Sequence, residues 1–224
     1  MPTYTITINN QGPKDRRFCI FTEPPKLDEG LSPVGYVNVF QRSGMTPAKT
    51  GQVTFKIQKR PIAIVGTTDG SLESGNSVYT SQMEQVNLGS PTQKATVLYV
   101  EYQNETAKIT EKGEAEALND PPGGFVMRTG AFETPKNNFC IGLGADHNGE
   151  NIPLSVFTPK SNKSYNIFPI TKFYVAVGAD YLPGQLISVE VSTKVQELNF
   201  GTSGTDAFIL DYTESGEFKV KTHV

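Results

Sequence analysis

Arg60-Pro-Ile-Ala-Ile-Val-Gly66 decides how this chain is read, because it recurs as Lys172-Phe-Tyr-Val-Ala-Val-Gly178. Each copy opens on a basic residue, runs through apolar residues and closes on glycine. From 60 to 172 is an offset of 112 residues. The same offset lays Val86-Asn-Leu-Gly89 on Leu198-Asn-Phe-Gly201, and sets Val53 and Phe55 against Tyr165 and Ile167. Ile62 to Val65 is an apolar run bounded by Pro61 and Gly66, the pattern of a strand buried on both faces. One β unit used twice is the expectation.

Working outward, Tyr4, Ile6 and Ile8 alternate with threonines over 3–9, which reads as a half-buried strand. Further strands are expected near 18–22, 36–41, 53–57, 62–65, 77–81, 85–88, 95–103 and 106–110. In the second half they are expected near 125–129, 138–143, 153–157, 164–168, 172–177, 185–191, 195–200, 206–212 and 217–221. No apolar 3.6-residue period persists through the first half for a helix of three turns. Strands at roughly 8–12-residue spacing, separated by turn residues, indicate sandwiches or barrels. Residues 111–124 turn acidic and then rich in Pro and Gly, which reads as a linker, with one helical turn possible over 114–118. The expected fold is all-β: two tandem antiparallel β-sandwich-like units, 1–110 and 125–224, related by internal duplication. The alternative is one larger barrel or sandwich closed by both copies around a pseudo-twofold axis.

The formal net charge is −3, from 20 basic and 23 acidic residues. The one tight basic cluster is Lys14-Asp15-Arg16-Arg17, so no nucleic-acid or anionic-membrane partner is expected. No run of roughly 18 apolar residues exists, so no membrane-spanning helix is expected. The N-terminus lacks the charged and apolar regions of a signal peptide. Cys19 and Cys140 sit in matching words, Phe18-Cys-Ile20 and Phe139-Cys-Ile141, as small core residues would. Equivalent core positions in two copies do not suit a disulfide, and reduced cysteines favour the cytoplasm.

Catalytic and metal motifs are sparse. The histidines are His147 and His223; His147 lies in a turn-rich stretch, Gly144 to Glu150, and no Gly-x-Ser-x-Gly word accompanies it. Neither cysteine has a second ligand at zinc spacing. Asp146, Asn148 and Glu150 are spaced like the start of a calcium loop, but Asn151 and Phe157 occupy the positions that need glycine and glutamate. Gly142-Leu-Gly144 lacks the third glycine and the helix of a dinucleotide turn. No metal and no cofactor is expected.

The sharpest pair is Glu101 and Asp211, equivalent between the copies with a two-residue slip from the 112 offset and each followed by tyrosine, Tyr102 and Tyr212. Alternation turns each carboxylate away from an apolar strand face. Across a cleft between the units, two such acids split each other's pKa and can act as general acid and base. The plain alternative is a solvated strand face. Loop residues Asp69, Asp146, His147, Asp180 and Tyr181 are the candidate ligand contacts, because loops at a sandwich end gather them. The absence of tryptophan argues against a typical carbohydrate platform.

Tyr4-Thr-Ile-Thr-Ile-Asn-Asn10, Phe18-Cys-Ile-Phe-Thr-Glu-Pro24 and Tyr174-Val-Ala-Val-Gly178 together resemble β-rich two-repeat proteins of filamentous fungi. That resemblance carries no activity and no residue roles. The function expected is non-catalytic binding of a small molecule or protein, through end loops or the groove between units. The alternative is a cofactor-independent cyclase or isomerase that uses Glu101, Asp211, Tyr102 and Tyr212. Exposed strand edges also allow a homo-oligomer.

Overall fold

Ile6 and Ile8 are fully buried while the threonines beside them are half-buried, so the alternation read in the first strand is real. The structure is a computed structural model and describes residues 2–24, 26–27, 36–73, 75–115, 123–133, 138–147, 150–169, 171–178, 181–187 and 195–223. In chain order the strands are β1 (Thr3–Asn10), β2 (Phe18–Thr22), β3 (Lys26–Leu27), β4 (Tyr36–Arg42), β5 (Gly51–Gln58), β6 (Ile62–Thr68), β7 (Val78–Gln85), β8 (Ala95–Gln103) and β9 (Thr106–Ala115). They continue as β10 (Phe125–Thr129), β11 (Phe139–His147), β12 (Glu150–Phe157), β13 (Ser164–Phe168), β14 (Lys172–Val177), β15 (Leu186–Ile187), β16 (Val195–Asn199), β17 (Ala207–Tyr212) and β18 (Phe218–His223). Among the described residues the helix is a single turn, α1 (Phe200–Ser203). Asn199 caps it by accepting from the Gly201 and Thr202 amides, and Gly204 at φ 69° ends it. The fold is all-β, and no helix among the described residues is long and apolar enough to cross a membrane.

The strands form three sheets: β18-β17-β1-β5, β3-β13-β10-β8-β9, and the larger β16-β14-β2-β4-β12-β11-β6-β7, with β15 pairing beside β4. One core lies between the first sheet and the β2–β14 end of the large sheet. It holds Ile6, Ile8, Phe55, Leu210, Phe18, Ile20, Phe173 and Val175. A second core lies between the five-stranded sheet and the β6–β11 end, with Leu98, Phe125, Met127, Ile167, Val65 and Ile141. Two smaller clusters take up the alternate residues of the large sheet, among them Cys19, Phe21, Ile64 and Cys140. All five residues of β2 are therefore buried, as a strand covered on both faces requires.

Every sheet draws strands from both sides of residues 111–124. In the first, β1 pairs in parallel with β17, setting Ile6 opposite Phe208 and Ile8 opposite Leu210. In the second, β10 pairs in parallel with β8, setting Met127 opposite Leu98. In the large sheet β6 pairs with β11, and β14 with β2. The two-unit division expected from the repeat is not shown by this pairing, because a strand pattern records which face is buried but not which strand lies alongside. Residues 116–122 of the expected linker and helical turn lie outside the described residues; residues 111–115 are the end of β9, paired with β8 from Ala95–Ala115 to Tyr99–Glu111. Its charges are those of an edge strand, with Lys112 Nζ 2.6 Å from Glu84 Oε1 and Lys94 Nζ 3.7 Å from Glu114 Oε2.

The two cysteine words pair with strands in a comparable way. Gly66 lies opposite Cys140, and Ala176 opposite Cys19. With the two cysteine words taken as equivalent, Gly66 corresponds to Ala176, a separation of 110 rather than the 112 of the matching words. Glu101 and Asp211 stand the same 110 apart, so no slip is needed to bring them into correspondence.

Candidate functional site

The two cores meet at β11 and β12. Leu143 belongs to one, Ala145 to the other, and Leu154 packs against both. At this seam lies a cavity of about 140 Å³. Tyr4, Ile57, Ala145 and Phe173 line it from the first core, Leu88 and Leu143 from the second, with Leu154 between. Its rim is polar: Thr22, Glu23, Gln58, Lys59, Arg60 and Thr171, with Pro61 and Pro169.

Each lining side chain is there for a local reason. Tyr4 is the first residue of the inward set of β1. Lys59, Arg60 and Pro61 are the turn from β5 into β6, and Glu23 follows β2, its amide donating to the Lys172 carbonyl at 3.3 Å. Gly142 and Gly144 shape the seam. A Cβ on Gly142 would lie 2.1 Å from the Ser155 carbonyl oxygen, and one on Gly144 would lie 2.6 Å from Ile64 Cγ2. The β11–β12 register shifts between Leu143 and Gly144, so the Gly-x-Gly word serves a β-bulge and close strand contact.

The rim charges are partly engaged. Lys59 is ion-paired to Asp206 and stands 4.5 Å from the centroid of the Tyr4 ring. Burial pushes the Tyr4 phenol up; Lys59 opposes this and Asp206 adds to it. Lys172 Nζ bridges Glu23 Oε1 at 3.4 Å and Glu197 Oε1 at 3.6 Å. Burial works against the Lys172 charge, but Glu23 and Glu197 outweigh it and hold the ammonium above its usual range. The Tyr174 hydroxyl is 3.4 Å from Glu197 Oε2 and 3.5 Å from Glu23 Oε1. Burial and then these two carboxylates push its phenol up. Arg60 is exposed and has no ion pair among the described residues.

Glu101 lies on the five-stranded sheet and Asp211 on the four-stranded one. Glu101 is exposed, accepts from Gln103 Nε2 at 3.0 Å, and borders an open depression of about 400 Å³ with Tyr99, Arg128 and Lys163. Asp211 is only 6% exposed, 2.9 Å from Asn9 Nδ2 and 2.7 Å from Lys221 Nζ. Burial alone would raise its pKa; the hydrogen bonds from Lys221 and Asn9 and the Lys221 charge prevail and hold it below the usual carboxylate range. Tyr102 stacks on Phe139 at 5.5 Å, and Tyr212 meets Phe18 edge-on at 5.5 Å. Asp69 accepts from the Tyr79 hydroxyl at 3.0 Å. Tyr181 packs into the cluster of Cys19 and Ala176, on a different sheet face from the seam. Asp146 accepts from Gln58 Nε2 at 3.0 Å and so touches the seam rim. His147 ends β11 opposite Glu150, with its side chain outside what is described, and Asp180 lies outside the described residues. Both cysteines are free and buried, and burial pushes their thiols up to about 12. Among the described residues, no three His, Cys, Asp or Glu side chains are placed to hold a metal ion.

A family model described as RhiA matches residues 1–223. The chain belongs to the RhiA family. The match runs from β1 to β18, so the RhiA unit takes in all three sheets and the whole seam cavity. No curated protein and no solved structure matches the chain. These comparisons name no activity, and they do not bear on the resemblance to fungal proteins.

The seam cavity escaped the sequence reading because its lining is spread from Tyr4 to Phe173 in no single word. One signal was present. Lys59 stands 110 residues before Pro169, so a charge lines the seam at one of two corresponding positions and not at the other.

Proposed function

We propose that this protein is a non-catalytic binding protein that seats a small apolar group in the seam cavity. The polar end of the same molecule rests against the Glu23–Lys59–Arg60 rim. The observation that carries this reading is the cavity itself: an apolar floor built where two cores abut, edged by charge from separate strands. Pockets that hold small molecules have this make-up. About 140 Å³ matches the roughly 150 Å³ cavity that admits benzene, and is below the roughly 300–1,000 Å³ of drug-sized sites. A single ring or a short alkyl chain fits. The reading does not draw on Glu101 or Asp211, which stand on different sheets with partners of their own, Gln103 and Lys221.

The test is an NMR titration of the ¹⁵N-labelled chain with 1-hexanol, hexanoate and hexylamine. Saturable shifts at the amides of 57–60 and 143–145, abolished by a cavity-filling Leu88→Trp, support the reading. If none of the three compounds moves those amides, the seam is not a ligand site.

A further inference from the structure

We infer that the polar end of the seam ligand is a single carboxylate, held by Arg60, and that the ligand enters in one orientation; this rests on the binding reading above. Three observations converge.

The first is a charge count. Two cations and one acid line the cavity, on a chain whose net charge is −3. The second is engagement. Glu23 is held by Lys172, and Lys59 by Asp206. Arg60 remains, exposed at the rim and without an ion pair among the described residues. Its planar fork matches a carboxylate through two parallel hydrogen bonds. A cationic head would meet Glu23 already engaged by Lys172 and Tyr174. A phosphate dianion would need more than one free cation.

The third is where the charge comes from. The strand register sets Thr22 in correspondence with Leu143, Glu23 with Gly144, Lys59 with Pro169 and Pro61 with Thr171. All eight of these residues line the cavity. Positions that correspond between the two cysteine words therefore meet at the seam. Yet Glu23, Lys59 and Arg60 all come from the first half of the sequence. A symmetric cavity would accept a ligand two ways round. This one offers a charged side and an apolar side, and an amphipathic anion fits in one direction.

Isothermal titration calorimetry on the full chain with hexanoate, 1-hexanol and hexylamine holds the tail constant and varies the head. Hexanoate is expected to bind about tenfold more tightly than 1-hexanol, as a charged hydrogen bond is worth. Hexylamine is expected to bind no better than the alcohol. Arg60→Ala, an exposed substitution whose folding is verified by circular dichroism, is expected to reduce hexanoate to the level of the alcohol, and Arg60→Lys to restore part of the difference. If the alcohol or amine binds at the seam as tightly as hexanoate, the carboxylate inference is overturned and the binding reading stands. Full hexanoate preference in Arg60→Ala overturns the role of Arg60. If no compound binds, both readings fall together.

Discussion

Because each of the three sheets is shared between the two halves of the sequence, Leu210→Ala should weaken the whole molecule rather than one end of it. Leu210 is fully buried, sits in β17 opposite Ile8 of β1, and contributes to the first core. Truncating a buried leucine costs about 2.7–5 kcal/mol, from lost transfer energy and the cavity left behind. At roughly 2.1 cal/mol/K per residue, the 224-residue chain unfolds with an entropy of about 0.47 kcal/mol/K. One cooperative unit therefore loses about 6–11 °C in Tm. Two independent halves behave differently: the half carrying Leu210 has about half the entropy, so its Tm falls by about 11–21 °C while the other stays in place. Differential scanning calorimetry separates these outcomes. The shared sheets predict one endotherm before and after substitution, with matching calorimetric and van't Hoff enthalpies. Two endotherms, only one of them displaced, would refute the argument that the sheets bind the halves into a single unit.

Two further predictions rest on buried groups. The folded-state pKa of Asp211 is depressed, so its stabilising contribution is present above its unfolded value of roughly 3.9 and is lost as pH falls through the folded one. Asp211→Asn should therefore lower the urea midpoint at pH 7 with a deficit that shrinks below about pH 4; an equal deficit at both ends contradicts this account. Cys19 and Cys140, with thiols pushed up to about 12, should be inert to a thiol reagent at pH 8 in the native protein and both react in denaturant; prompt native labelling of either refutes the burial argument.

Sequence alone placed several strands to the residue: 125–129, 164–168 and 172–177 are β10, β13 and β14. In these, turn residues bound a short apolar or alternating run, and both signals are local. Register was less accessible. Offsets of 110 and 112 differ by two, the strand period, so each puts the same residues on the same face, and only the pairing of Gly66 and Ala176 opposite the cysteines chooses between them. Partner choice was not legible at all. Nothing in Ile6 or Ile8 specifies Phe208 and Leu210 over any other apolar pair, because burial of a face is indifferent to which strand provides the cover. The acidic end of β9 resembled a linker for a related reason: Glu111, Lys112 and Glu114 on an edge strand have the composition of a solvated tether. For the site, the matching words drew attention to Glu101 and Asp211, whereas the seam is lined by positions the words do not match, such as Lys59 and Pro169.

The parallel pairing of β1 with β17 also sets a timetable for synthesis. Thr5 is made long before its neighbour Ala207. At ~5–20 residues per second, roughly 10–40 s separate the two on the ribosome. Throughout that interval Ile6 and Ile8 can at most be joined by β5 on one side, leaving the other edge of the nascent strand open. The first core closes only after β17 has left the exit tunnel, whereas the second core draws on residues made earlier. A chaperone that shields the β1 edge during elongation would act on the slowest-to-satisfy part of the molecule.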